Sequence, residues 1–182
     1  MARPGKGSIR ECVAVRIEFT KQMTADLVAV TRQDGTSART PFPHKGPVPH
    51  DAVHFFVELE LGMTDGFWGL VARGYHPEEI GAIAKAAGHA SAARRTSPDE
   101  SFVQAIQAER LVECFEADLW SDGCDPRTFM TVADAACEDS LVPRVPIRPE
   151  QIDRIRVQIA SFRDEWSELP LGKSHTLEWP EN

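Results

Sequence analysis

In "CVAVRIEF" the apolar residues Val13, Val15, Ile17 and Phe19 alternate with Ala14, Arg16 and Glu18. That is the two-residue period of a strand with one buried face. "DLVAVTRQDGTSART" continues in kind and predicts a second strand, a turn at Asp34-Gly35 and a short third strand. The segment "PFPHKGPVP" then packs four prolines and a glycine into nine residues. Proline removes a backbone donor and restrains its predecessor, so this segment is read as an ordered connection leaving the sheet.

Beyond it the period changes. "VPHDAVHFFVELELG" predicts a helix from Pro49 to a stop at Gly62, and "TDGFWGLVARG" a short helical or turn-like segment closed by Gly74. "HPEEIGAIAKAAG" predicts a helix from Pro77 to Gly88, with acidic residues in the first turn as the helix dipole favours. The longest helix follows in "SPDESFVQAIQAERLVECFEADLW", introduced by a capping-box pattern from Ser97 to Glu100. "DPRTFMTVADAACEDSL" and "RPEQIDRIRVQIASFRDEWSEL" predict two more, the last with Ile152, Ile155, Ile159 and Phe162 as its apolar stripe. The tail "SHTLEWP" alternates again and predicts a strand returning to the N-terminal sheet. The expected class is α+β: a small antiparallel sheet from N-terminal strands plus a C-terminal strand, packed with about five helices. One domain is expected, with strands mainly in 1–42, helices in 49–168 and the closing strand in 174–180.

Candidate chemistry concentrates on the first helix. At about 100° per residue, with His50 at zero, His54 falls near 40°, Glu58 near 80° and Asp51 near 100°, one polar arc on a helix that is otherwise nearly all apolar. Imidazoles at i and i+4 can converge on one cation, and a carboxylate one turn on can add an oxygen. This mixed nitrogen and oxygen set suits a divalent zinc, iron or manganese ion. His50, His54 and Glu58 are therefore the expected metal ligands, with Asp51 as a partner that orients an imidazole. The chemistry such a site supports is metal-assisted hydrolysis or a related reaction. The opposing reading is a noncatalytic structural or protein-interaction domain, in which the arc is simply the wet face of an amphipathic helix.

On the long helix, Glu109, Glu113 and Glu116 share a face with Phe102, Ile106 and Trp120. Glu109 and Glu113 are additional candidates, since facing helices build metal sites from such carboxylates. The alternative is a solvated face, with Arg110 pairing one of them. His44, His76, His89 and His175 read as structural or exposed, His44 and His76 being the two able to approach the first histidine pair. Phe67 and Trp68 read as an aromatic plug in the core, and Cys114 as a buried thiol.

Charge and composition narrow the classes. A net charge of −8 and a pI near 5.2 argue against nucleic acid as a partner, and the Arg94-Arg95 cluster is too small to reverse that. Cys12, Cys114, Cys124 and Cys137 lack CxxC spacing and read as reduced thiols. No apolar run resembles a signal peptide or a membrane span, so a soluble cytoplasmic protein acting on a small molecule or a protein partner is the expectation. No Walker loop, Rossmann fingerprint or G-x-S-x-G elbow is present.

"HDAVH" resembles the HDxxH core of the proposed zinc motif in a family of ubiquinone-biosynthesis proteins, and "LGMTDGFWG" is similar to the glycine-containing segment that follows that core. The likeness covers about twenty residues and implies a zinc-binding role for His50, Asp51 and His54, without extending to quinone chemistry. Where that family places a further glutamate this chain has Gly66, so Glu58 or Glu60 would have to substitute. The longer segment containing "HDxxHFxVE" and "GFWGLVARG" also resembles an uncharacterised bacterial protein family, which implies no activity.

Overall fold

The computed structural model describes residues 13–44, 46–80, 82, 98–121 and 123–181. Strand β1 (Val13–Thr20) is the centre of its sheet because its alternation is the strictest: Val15, Ile17 and Phe19 are fully buried, while Arg16 and Glu18 point outward and pair with each other at 3.0 Å. β2 (Asp26–Arg32) pairs antiparallel on one side, setting Ile17 opposite Val30 and Phe19 opposite Val28. β3 (Ser37–Phe42) adds outside β2, across the turn at Asp34-Gly35, where Gly35 takes φ +83° and the Asp34 carboxylate accepts the Thr36 N–H. β4 (Ser174–Pro180) returns to the other edge of β1, so the sheet runs β3-β2-β1-β4, antiparallel throughout. Trp179 of β4 is buried beside its partner Val15. The expected α+β class, with three N-terminal strands and one C-terminal strand, is the observed one.

Among the described residues five helices exceed one turn: α1 (His50–Leu61), α2 (Phe67–Ala72), α3 (Glu100–Trp120), α4 (Pro126–Asp139) and α5 (Pro149–Glu168). A helical turn over 77–80 opens on His76, whose carbonyl accepts the Glu79 and Ile80 N–H groups, and most of the predicted run to Gly88 lies outside the described residues. Of the predicted capping pair Ser97 and Glu100, only Glu100 is among the described residues. The cap of α3 is Asp99, whose carboxylate accepts the Ser101 N–H at 2.9 Å, and Ser97, like Cys12 and His89, lies outside the described residues.

What positions the site is the burial of α1 on nearly every side. Phe55 packs edge-on against Trp179 of the sheet, and Phe56 against Phe162 of α5. Trp68 of α2, fully buried against Phe19, donates its indole N–H to the Asp51 carbonyl at 2.9 Å. Each such aromatic contributes about 2–3 kcal/mol by leaving water. The remaining side of α1 faces α3, and a polar group there must find its partner in protein, since an unmet buried group costs about 1–3 kcal/mol.

A separate ion pair fixes α3 against α5. Asp118, 7 % exposed, receives two 2.8 Å hydrogen bonds from the Arg156 guanidinium and one from the Cys124 N–H. Burial alone would raise the Asp118 pKa, but those donors outweigh it and hold the carboxyl below its ordinary value. A lowered carboxyl pKa contributes stability above the unfolded value and loses it as pH falls through the folded one. Arg156→Ala is accordingly expected to cost about 3 kcal/mol in urea unfolding at neutral pH, and progressively less below about pH 4.

Candidate metal centre

Pro49 precedes the first turn of α1, which places His50 at the helix start and His54 one turn on, side by side facing α3. Each imidazole is held through Nδ1. His54 Nδ1 lies 2.8 Å from Glu58 Oε1, and His50 Nδ1 lies 2.9 Å from Glu116 Oε1 on α3. Ionised carboxylates only accept, so both Nδ1 atoms carry the proton in the neutral tautomers and both Nε2 atoms present lone pairs. Those two Nε2 atoms are 3.2 Å apart. Glu109 of α3 closes the third side, with Oε2 3.2 Å from His54 Nε2 and Oε1 3.6 Å from His50 Nε2.

In the neutral tautomers three acceptors are thus turned toward one point, an arrangement satisfied by a cation between them or by protonation of the rings. His50, His54 and Glu109 form a group able to hold a metal ion, one donor atom from each lying within 4.8 Å of the others. Without an ion, protons supply the charge. Burial would lower the His50 pKa, but the hydrogen bonds to Glu109 and Glu116 overcome it and raise it to about 10. For His54, burial is likewise outweighed by Glu109 and Glu58, and its pKa rises to about 9. Glu109, despite its own burial, is held far below the usual carboxylate range by the two histidines.

The geometry brings some of the expected residues together and not others. His50 and His54 converge, but the structure does not bring Glu58 to their Nε2 side. Glu58 is completely buried: Oε1 accepts the Phe67 N–H as well as facing His54, and Oε2 accepts the Trp68 N–H, all at 2.8–2.9 Å. It therefore satisfies two of the amides exposed at the start of α2 while fixing the His54 ring. Gly66 is needed for this, because a Cβ there would sit 2.5 Å from the Glu58 carboxyl carbon.

Of the α3 candidates, Glu109 joins the centre and Glu116 steadies His50, whereas Glu113 is half exposed and pairs with Arg110 at 2.7 Å. Asp51 belongs to α1's first turn, and burial raises its carboxyl pKa. Its carbonyl, not its carboxylate, makes the bond to Trp68. His44 and His76 do not reach the centre: His44 stands by Asp26 and His76 caps the following helical turn. Cys114 and Cys137 are buried free thiols, the Cys114 pKa pushed up to about 11 by burial.

The centre is graded in exposure. The side chains of His54 and Glu58 are 4 % and 0 % accessible, while those of His50, Glu109 and Glu116 are 32 %, 27 % and 34 %. Its floor is buried and its His50 side is open. No helix among the described residues is long and apolar enough to cross a membrane. No family model, curated protein or solved structure matches the chain.

Proposed function

We propose that this chain binds one zinc ion through His50 Nε2, His54 Nε2 and Glu109, and that the site serves metal-assisted hydrolysis. The observation that carries this reading is the reciprocal arrangement of the imidazoles, each with Nδ1 on a carboxylate and Nε2 turned toward a shared third ligand. A carboxylate behind a histidine fixes its tautomer and raises its basicity as a ligand. A set of two imidazoles and one carboxylate suits zinc. Donors about 2.1 Å from one ion stand about 3.0–3.4 Å apart, and here the two Nε2 atoms are 3.2 Å apart, with Glu109 Oε2 3.2 Å from His54 Nε2 and Glu109 Oε1 3.6 Å from His50 Nε2.

Three protein ligands with one side open is the pattern of a catalytic rather than a structural zinc site. When bound, the ion would supply a water of lowered pKa or polarise a substrate oxygen. Glu58 and His54 form the fixed floor, and Glu116, a third exposed on the open side, holds His50 and is within the reach of solvent for proton exchange. Glu58 is in this reading a positioning residue and not a ligand.

A second reading rests on the same hydrogen bonds. With His50 and His54 protonated, the five side chains make a closed set of ion pairs that ties α1 to α3 in a noncatalytic domain. Zinc titration of the untagged chain against a chromophoric chelator separates the two, followed by assay of the loaded protein on p-nitrophenyl acetate and bis-p-nitrophenyl phosphate. One equivalent of tightly held zinc and zinc-dependent turnover of either ester support the proposal. No retained zinc, with stability unchanged by chelator, supports the noncatalytic reading. Glu116→Ala is expected to leave the fold intact and weaken zinc binding about 10- to 100-fold in the same titration, through loss of the His50 Nδ1 partner.

A further inference from the structure

The proline-rich connection and the end of α5 enclose a second cleft of about 460 Å³, whose wall includes Phe42, Trp166, Lys21, His44 and Arg163. We propose that it binds a small organic anion, a carboxylate or phosphate carried on a flat apolar body. This goes beyond the zinc site and does not depend on it.

The argument is a count of donors. Asp26 also lines the cleft, but it is 5 % exposed and already compensated: its Oδ1 accepts the Gln22 N–H at 2.7 Å, and His44 Nε2 stands 3.1 Å away. Lys21 Nζ spends two of its three donors on the Trp166 and Ser167 carbonyls at the end of α5, and lies 5.7 Å above the Trp166 ring. Arg163 directs Nε and one terminal nitrogen to its neighbour Asp164, leaving the other terminal nitrogen over. His44 is already committed to Asp26 through Nε2, and its other ring nitrogen adds no donor to the count. Two basic side chains with spare donors among the described residues, Lys21 and Arg163, thus meet in one concavity, in a chain whose net charge is −8.

Capping the end of α5 accounts for Lys21 but not for Arg163. Pro49, the residue before α1, is part of the same wall, so the positive end of that helix dipole offsets the negative end of α5 that Lys21 caps. The indole of Trp166, the ring of Phe42 and the prolines give the remaining surface an apolar character that a flat ligand body would cover.

The test is a two-dimensional ¹⁵N NMR titration of the full chain with phenyl phosphate and with benzoate, and with benzylamine as the cationic counterpart. The proposal expects saturable shifts at the Trp166 indole and the Ser167 amide with at least one anion, the tighter of the two identifying the headgroup. Arg163→Ser should weaken that binding about tenfold, the worth of one charge-assisted hydrogen bond, with zinc content unchanged. Arg163 is exposed, so this variant should fold. Absence of saturable shifts with both anions, equal binding of benzylamine, or binding that Arg163→Ser leaves unweakened would overturn the proposal.

Discussion

Replacing His54 with alanine is expected to abolish tight zinc binding and to destabilise the metal-free chain as well. The ligand loss follows from the donor count. Zinc held by four ligands at about 10–16 kcal/mol gains about 2.5–4 kcal/mol from each, so losing one donor would weaken binding on the order of a hundred- to a thousandfold. The stability loss follows from Glu58, fully buried and left with two α2 amides but no imidazole. Removing one partner of a buried charge pair costs about 3 kcal/mol. Glu109→Gln should lose the zinc with a smaller effect on the metal-free fold, because its side chain reaches solvent. Chelator competition and urea unfolding, run on both variants, check the contrast.

Glu58→Ala has the largest expected effect on the fold of any change at the centre. It strands the His54 Nδ1–H and the Phe67 and Trp68 amides in a site with no water contact and opens a cavity beside Gly66. Three unmet donors at about 1–3 kcal/mol each, partly relieved by relaxation, amount to about 4 kcal/mol, or on the order of 10 °C in Tm. Zinc affinity should fall about 10- to 100-fold with the His54 ring no longer fixed. If Glu58 were instead a ligand and not an orienting group, Glu58→Gln would remove zinc as thoroughly as Glu109→Gln does. The titration therefore distinguishes the two roles.

The sheet was legible because strand burial has a period of two and each strand declares its inner face locally, as Val15, Ile17 and Phe19 do. The histidine pair was legible for the same kind of reason, i and i+4 on one helix being a local geometry. The third side chain of the group was not. Angular bookkeeping along α1 favours Glu58, yet a carboxylate four residues after His54 reaches that ring's Nδ1, and α2 delivers two amides to hold it there. The Nε2 side belongs to whichever helix packs opposite, and no pattern within α1 names that helix.

The long helix carried a partial signal. Glu109 and Glu116 are seven residues apart, two turns and within about 20° of each other, whereas Glu113 is displaced by about 40–60° toward the side where Arg110 meets it. That separation selects the pair able to face two histidines, provided the packing of α1 on α3 is known. The cap of α3 is Asp99, two residues beyond the predicted Ser97, within the usual imprecision at helix starts.

X-ray absorption at the zinc edge of the loaded chain tests the central claim most directly. The account predicts two imidazole shells at about 2.0–2.1 Å with oxygen neighbours from Glu109 and water, and one imidazole fewer in His54→Ala. A spectrum without imidazole scattering, one dominated by sulfur, or one unchanged by His54→Ala would contradict it.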